Sequence, residues 1–236
     1  MMGRTHVLSG LAAGALTLPL LQDGIAGGEQ ASWIVAVAGM AILPDLDHPQ
    51  ATVAGMWGPL TEVIARAVAT TARGHRAATH DPIVAPLVFA ALFWLADLTI
   101  VGQLVTIAFG LGLGLRAIAI SCPGRGLDHP LINITVSAAG SWWIVTEHAP
   151  PGWIPHAAAL GVLVHIAGDA LTEGGIPAPL SWLTGAPRRL PGGPLSTGGR
   201  VERLVIAPAL LVATAWCLAA RSPLHLTDAL TGMPIG

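Results

Sequence analysis

Residues 82–101 read PIVAPLVFAALFWLADLTIV, twenty positions in which Asp97 is the one ionisable side chain. A helix that spans a bilayer needs about 20 mostly apolar residues, within a range near 17–25. Working outward, six further apolar segments have the same character, at roughly 6–22, 30–44, 103–120, 131–147, 153–169 and 203–220. Several are short, so the pattern predicts an all-α, polytopic membrane helix bundle with six or seven spans. Composition agrees. Charged residues make up 10% of the 236 and the mean hydropathy is +0.68, whereas an ordinary soluble domain carries roughly 25% charged residues. So few charges could not cover a soluble surface of this size. The first segment also has signal-peptide features, with Arg4 ahead of residues 7–21 and Ala26-Gly27-Gly28 beyond. Against that reading, the six later segments need a membrane in any case.

The net charge of -2 says little about partners, and no basic run reads as a nucleic-acid surface. All eleven basic residues are Arg, a composition bias rather than a functional signal. Cys122 and Cys217 match no zinc or redox spacing and read as small packing residues. Arg placement sets the orientation, because cytoplasmic loops accumulate Lys and Arg. With the N-terminus inside, the inner face receives Arg4, Arg66, Arg73, Arg76, Arg125, Arg188, Arg189 and Arg200, with Arg116 and Arg203 near inner helix ends. The outer face keeps Asp23, Glu29, Glu147 and His148, with Arg221 as its cation. Within the inner stretch 45–81, residues 57–73 predict an amphipathic helix with Leu60, Val63, Ile64, Ala67 and Val68 on one face. It either packs on the bundle or lies on the inner leaflet. The Gly- and Pro-rich residues 170–202 predict a structured loop. Leu46-Asp47-His48-Pro49 is echoed by Leu127-Asp128-His129-Pro130, too short a match to claim duplication.

This topology puts His6, His48, His75, His80, His129 and His165 on the inner side, beside Asp45, Asp47, Asp81, Asp128 and Asp169. Ionisable groups near apolar helices are costly and are usually paired or functional. Imidazoles and carboxylates gathered on one side are what a divalent metal site requires. Asp45 and Asp47 flank one residue of the Pro44–Pro49 stretch, and an extended turn would point both carboxylates to one side. The plainer reading is a helix end with solvated acids. Asp81 before Pro82 is explained as a helix N-cap, whereas His75 and His80 have no such explanation. Arg76 beside them suits an anionic group, and Thr79 suits a supporting hydrogen bond. His165 and Asp169, at i and i+4, share one helix face and can chelate one ion, although this spacing alone is common. His6 reads equally well as a core histidine or a ligand. Residues 196–202 suit either anion binding or a plain helix start.

His6, Pro44-Asp45-Leu46-Asp47-His48, Gly74-His75-Arg76 with Thr79-His80, and His165, Asp169, Thr172 and Gly174 together resemble the YdjM/YbcI-like family of inner-membrane, metal-dependent hydrolases. Thr197-Gly198 with Val201-Glu202 adds to the likeness, which runs from residue 6 to about 203. The resemblance implies His48, His75, His80, His165 and Asp169 as metal residues, followed by Asp45, Asp47 and His6. The ligand set is also similar in kind to that of the all-helical, zinc-dependent phospholipase C and nuclease fold. The family usually has Ser after Thr-His, where this chain has Asp81. That residue either adds a carboxylate to the site or makes a better cap.

The expectation is one membrane-embedded domain, 1–236, with inner loops 45–81, 121–130 and 170–202 carrying the site. The expected activity is hydrolysis of a phosphoester or lipid-linked substrate in the inner membrane, with a divalent ion, zinc or else manganese, activating water. Asp45 or Asp47 would act as base or bridge two ions, and Arg76 would hold the anionic group. The expected partners are membrane lipids and such a substrate, and no nucleic acid. The alternative is a metal-stabilised scaffold that docks a partner on its inner loops. A transporter fits least, because transporter sites lie near the bilayer midplane.

Overall fold

A computed structural model describes residues 1–21, 27–118, 129–148, 152–184 and 188–220. Among these the chain is all-helical, and its only β pairing is two isolated bridges, Thr172 with Leu195 and Pro177 with Arg189. The α-helices are α1 (Gly3–Thr17), α2 (Gly27–Met40), α3 (Pro59–Thr71), α4 (Val84–Asp97), α5 (Ile100–Ile118), α6 (Pro130–Glu147), α7 (Ile154–Ala170) and α8 (Ala207–Ala219). A π-helical turn, Glu202–Ile206, leads into α8.

Every expected span contains a helix, but α1, α2 and α4 are shorter than the apolar runs that announced them. Pro19 sits in a 3-10 turn that ends α1, and Pro44 in another, Leu43–Asp47, that follows α2. Proline lacks the N–H that would continue an α-helix. Residues 82–101 do not form one rod, because α4 stops at Asp97 and α5 starts at Ile100. Two segments among the described residues are long and apolar enough to cross a membrane, Ile100–Ile118 and Glu202–Ala219. The 14 residues of α2 reach only about 21 Å at 1.5 Å per residue.

Small residues set the packing. α2 lies at the centre, against α1, α5 and α7. A Cβ on Gly10 of α1 would come within 2.6 Å of the Ala38 Cα, and one on Gly14 within 2.8 Å of the Ile34 Cα. Gly39 of α2 and Gly110 of α5 meet backbone to backbone. Such close approach is how helices associate in lipid, where no hydrophobic force separates helix from tail. The inward faces are fully buried at Val37, Met40, Leu113 and Val162. The outward faces of α4, α5, α6 and α8 are apolar as well, exposing Leu87, Leu92, Val105, Trp142, Val212 and Trp216.

The amphipathic helix predicted over 57–73 is α3. Thr61 and Ala65 are its buried residues, while Leu60 and Val63 are 60% and 61% exposed. Residues 170–184 and 188–202 fold back over the end of α7, where Gly193 donates to the Ala170 carbonyl and Leu195 to the Leu171 carbonyl.

Candidate metal centre

The start of α1, the turn after α2, the segment before α4 and the end of α7 meet at one end of the bundle. They carry His6, Asp45 and Asp47, His75 to His80, and His165 with Asp169. Each imidazole is placed by its backbone. His6 lies one turn into α1 and stacks on His165, with ring centroids 3.7 Å apart and planes 13° from parallel. His165 faces inward from α7, and its Nδ1 lies 2.7 Å from the Ala41 carbonyl just past α2. A carbonyl oxygen only accepts, so Nδ1 carries the proton and Nε2 of the neutral ring is a lone pair.

The turn holding the two aspartates is 3-10 rather than extended, which overturns the expectation that both carboxylates point one way. At three residues per turn, side chains two apart diverge. Asp45 points towards His165, with Oδ1 3.7 Å from its Nε2. Asp47 points towards the segment before α4. Its Oδ1 lies 2.6 Å from His75 Nδ1, and its Oδ2 accepts from the Arg76 backbone N–H at 2.9 Å and from the Thr79 hydroxyl. His80 Nδ1 lies 3.2 Å from the same oxygen. Burial pushes the Asp47 carboxyl up, but hydrogen bonds from His75, His80 and Thr79 outweigh it and hold the group well below the usual carboxylate range. Asp47 is therefore ionised at any physiological pH. The turn that delivers these donors is tight, with Arg73, Gly74 and Arg76 all at positive φ. For the two arginines this is a strained conformation of the kind that collects at functional sites.

With its Nδ1 proton directed to Asp47, His80 also presents Nε2 as a lone pair. That atom lies 3.3 Å from His165 Nε2. Asp169 Oδ2 lies 3.6 Å from the first nitrogen and 3.9 Å from the second. Asp169 is itself shared. Its Oδ2 meets the Arg76 guanidinium at 2.8 Å, its Oδ1 meets the Met1 amino nitrogen, and His6 Nε2 lies 3.3 Å away. Both ring nitrogens of His6 are buried without a hydrogen bond. Among the described residues, three groups have ligand atoms close enough to hold an ion: His6, His165 and Asp169; Asp45, His80 and His165; Asp47, His75 and His80. They form a chain linked through His165 and His80.

The donor set fits a divalent cation. Tetrahedral bonds of about 2.0–2.1 Å to nitrogen separate neighbouring ligands by roughly 3.3–3.4 Å, close to the His80–His165 spacing. Two lone pairs facing one another at that distance, in a buried site, are relieved by a cation between them or by a proton shared as N–H···N.

Of the residues expected here, His48 is not in any of the three groups. Its ring packs edge-on against His75, with centroids 4.9 Å apart. Arg76 turns its guanidinium to Asp169 and to the Gly175 carbonyl. Asp81 spends its carboxylate on the backbone, accepting from Ile83, Val84 and Leu180 N–H groups, as its reading as a cap anticipated. Residues 121–128 of the loop expected to contribute lie outside the described residues, and His129 caps α6 through its Nδ1. Two contributors went unread as such. The Ala41 carbonyl fixes His165, and no side-chain pattern reports a carbonyl. Glu202, 1% exposed, accepts from the Met2 and Gly198 N–H groups at 2.7 Å each, tying the start of α1 to the loop before α8.

Fold and cluster together define an all-helical membrane protein with a buried His/Asp centre at one end of its bundle. The chain belongs to the YdjM inner membrane protein family, whose model matches residues 1–120. The matched region carries His6, Asp45, Asp47, His75 and His80 and stops short of His165 and Asp169. No curated protein and no solved structure matches the chain.

Proposed function

We propose that this chain is a multi-pass membrane hydrolase that cleaves a phosphoester at the cytoplasmic face, with zinc held by His80, His165 and Asp169. The observation that carries the reading is the pair of Nε2 atoms 3.3 Å apart, each ring oriented through its other nitrogen. Metal-bound histidines are held in this way, by a carboxylate or carbonyl behind the ring. A bound divalent ion supplies a Lewis acid for a phosphoryl oxygen and lowers the pKa of a water towards 7.

The residues divide the remaining work. Asp47, with its oxygens taken up by four donors, positions His75 and His80 rather than acting as the base. Asp45 has a side chain 23% exposed, so it faces the open side and takes the proton from the attacking water. His75, 37% exposed with Nδ1 tied to Asp47, keeps Nε2 as an acceptor for a water of the site. Arg76 holds Asp169 in place. A structural zinc site is closed by four ligands, whereas a catalytic one keeps an open position. The exposure of Asp45 and His75 favours catalysis over a scaffold.

The apolar outer faces of α4, α5, α6 and α8 meet lipid in this reading, and the helices alternate in direction across the membrane. Arg4, Arg66, Arg73, Arg116 and Arg200 all belong to the end that carries the centre, which supports its placement on the cytoplasmic side. α3 lies on the inner leaflet with Leu60 and Val63 inserted.

Metal analysis of detergent-purified protein tests the proposal, comparing wild type with a His165→Ala, Asp169→Ala double variant. Stoichiometric zinc or manganese in wild type, lost in the variant together with cleavage of p-nitrophenyl phosphate, is the expected result. A well-folded wild type that binds neither ion on titration would sink it.

A further inference from the structure

A cavity of about 370 Å³ runs between α3 and α4. Its walls include Ala67 and Val68 of α3, Val88, Phe89 and Leu92 of α4, and Trp182 of the loop after α7. None of its lining residues is ionisable. Its volume falls in the range of roughly 300–1,000 Å³ found for small-molecule sites. Two neighbours give it direction. Thr79 lines it, and its hydroxyl donates to Asp47, so its side chain belongs to both the cavity and the His/Asp centre. Val88 and Leu92, also in its walls, are 48% and 55% exposed and continue the apolar outer face of α4. Against the Trp182 wall, the Arg73 guanidinium lies 5.9 Å from the ring centroid, a cation beside an otherwise apolar channel.

We propose that this channel seats one hydrocarbon chain of a phospholipid-like substrate, entering between α3 and α4 from the membrane and leaving its phosphoester head at the His/Asp centre. The proposal rests on the hydrolase reading above and adds the substrate class. An apolar channel joined to a lipid-facing surface fills with hydrocarbon more favourably than with water. The apolar lining ends at Thr79, where the polar donors begin, so the head lies on that side, and Arg73, in the segment just before Thr79, offers it a cation. A water-soluble phosphoester would leave the whole channel unused.

Photolabelling tests this. The full-length protein in phosphatidylcholine nanodiscs is photolysed with phosphatidic acid carrying a diazirine near the end of one acyl chain, and adducts are mapped by peptide mass spectrometry. The expected result is labelling concentrated within residues 67–92, competed by unlabelled phosphatidic acid. Labelling there is lost in an Ala67→Phe, Val88→Phe double variant, which fills the channel from two exposed positions. Leu211→Phe, on the exposed face of α8, leaves it unchanged. Adducts spread equally over α5, α6 and α8, or adducts that persist in the filled variant, would overturn the proposal. Should the filled variant not fold, the wild-type map with its competition decides alone. Cleavage of p-nitrophenyl phosphate, which has no chain, separates the two readings. If that cleavage is present but labelling ignores the channel, the chain seat fails and the hydrolase stands. If the channel labels but no phosphoester is cleaved, the seat stands and the hydrolase fails.

Discussion

Asp47 accepts from His75 and the Arg76 N–H on either side of its carboxylate, with Thr79 and His80 added to the second oxygen. An asparagine has one acceptor oxygen and a donor in place of the other. Asp47→Asn must therefore turn an N–H towards one of these donors, and it frees one imidazole to rotate. Loss of such a supporting partner costs about 10–100-fold in metal affinity, so zinc measured by chelator competition should weaken by that factor while the fold survives. His48→Ala, which removes a ring from outside all three ligand groups, should leave affinity unchanged. Equal loss in both variants would mean that the centre has been drawn around the wrong residues. The presence of a cluster was legible in the chain, because six histidines and five aspartates fell on one side of the predicted topology. The division between Asp45 and Asp47 was not. It depends on a 3-10 turn that sends them apart and on partners about 30 residues further along the chain.

The HxxxD spacing of α7 correctly put His165 and Asp169 on one face, yet the residue that lets that face approach α2 lies one turn earlier. A Cβ on Gly161 would come within 2.7 Å of the Ala41 N and of the Met40 carbonyl carbon, backbone atoms that cannot swing aside. Gly161→Ala should push α7 away from the end of α2 and pull His165 from the Ala41 carbonyl. Overpacking of this kind costs about 1–3 kcal/mol, so both a lower Tm and a lower zinc content are expected. A lower Tm with full zinc content would show that the helix contact and the centre are independent. Sequence periodicity did not flag this glycine, because a close approach is a property of two elements. Helix lengths were overread for a related reason. Apolar character continues through Pro19, Pro44 and the Leu98-Thr99 break, where the hydrogen-bond ladder stops. Glu202 belongs to this scale as well, since its two oxygens join the start of α1 to the π turn before α8. Glu202→Ala leaves two N–H groups without their acceptor, at about 1–3 kcal/mol for each that stays buried. Thermal unfolding should shift down accordingly, and an unchanged Tm would mean that water replaces the carboxylate.

Across the whole molecule, helix length and helix exposure point to different roles for different helices. α1 and α2 are short and largely buried, so other helices rather than lipid surround them. α5 and the Glu202–Ala219 segment are long enough to cross, and they carry much of the apolar outer surface. α4, at 14 residues, is exposed yet short. It either crosses a locally thinned bilayer, at a modest cost per ångström of mismatch, or turns back within the membrane at Leu98-Thr99. Cysteine labelling decides between these. In a background with Cys122→Ser and Cys217→Ser, single substitutions Arg200→Cys, Thr99→Cys and Glu147→Cys are exposed to a membrane-impermeant maleimide, in intact cells and in inverted vesicles. Arg200 belongs to the end that carries the His/Asp centre, whereas Thr99 and Glu147 lie at the opposite end. Thr99→Cys and Glu147→Cys should label in intact cells and Arg200→Cys only in inverted vesicles, which requires α4 and α5 each to cross. Labelling of Arg200→Cys from outside would reverse the orientation and expose the centre to the outer face. Thr99→Cys silent from both sides, with Glu147→Cys still labelled from outside, would make α4 and α5 a hairpin within the bilayer. The bundle would then have fewer spans than its apolar segments suggest, and the channel between α3 and α4 would open towards the inner leaflet alone.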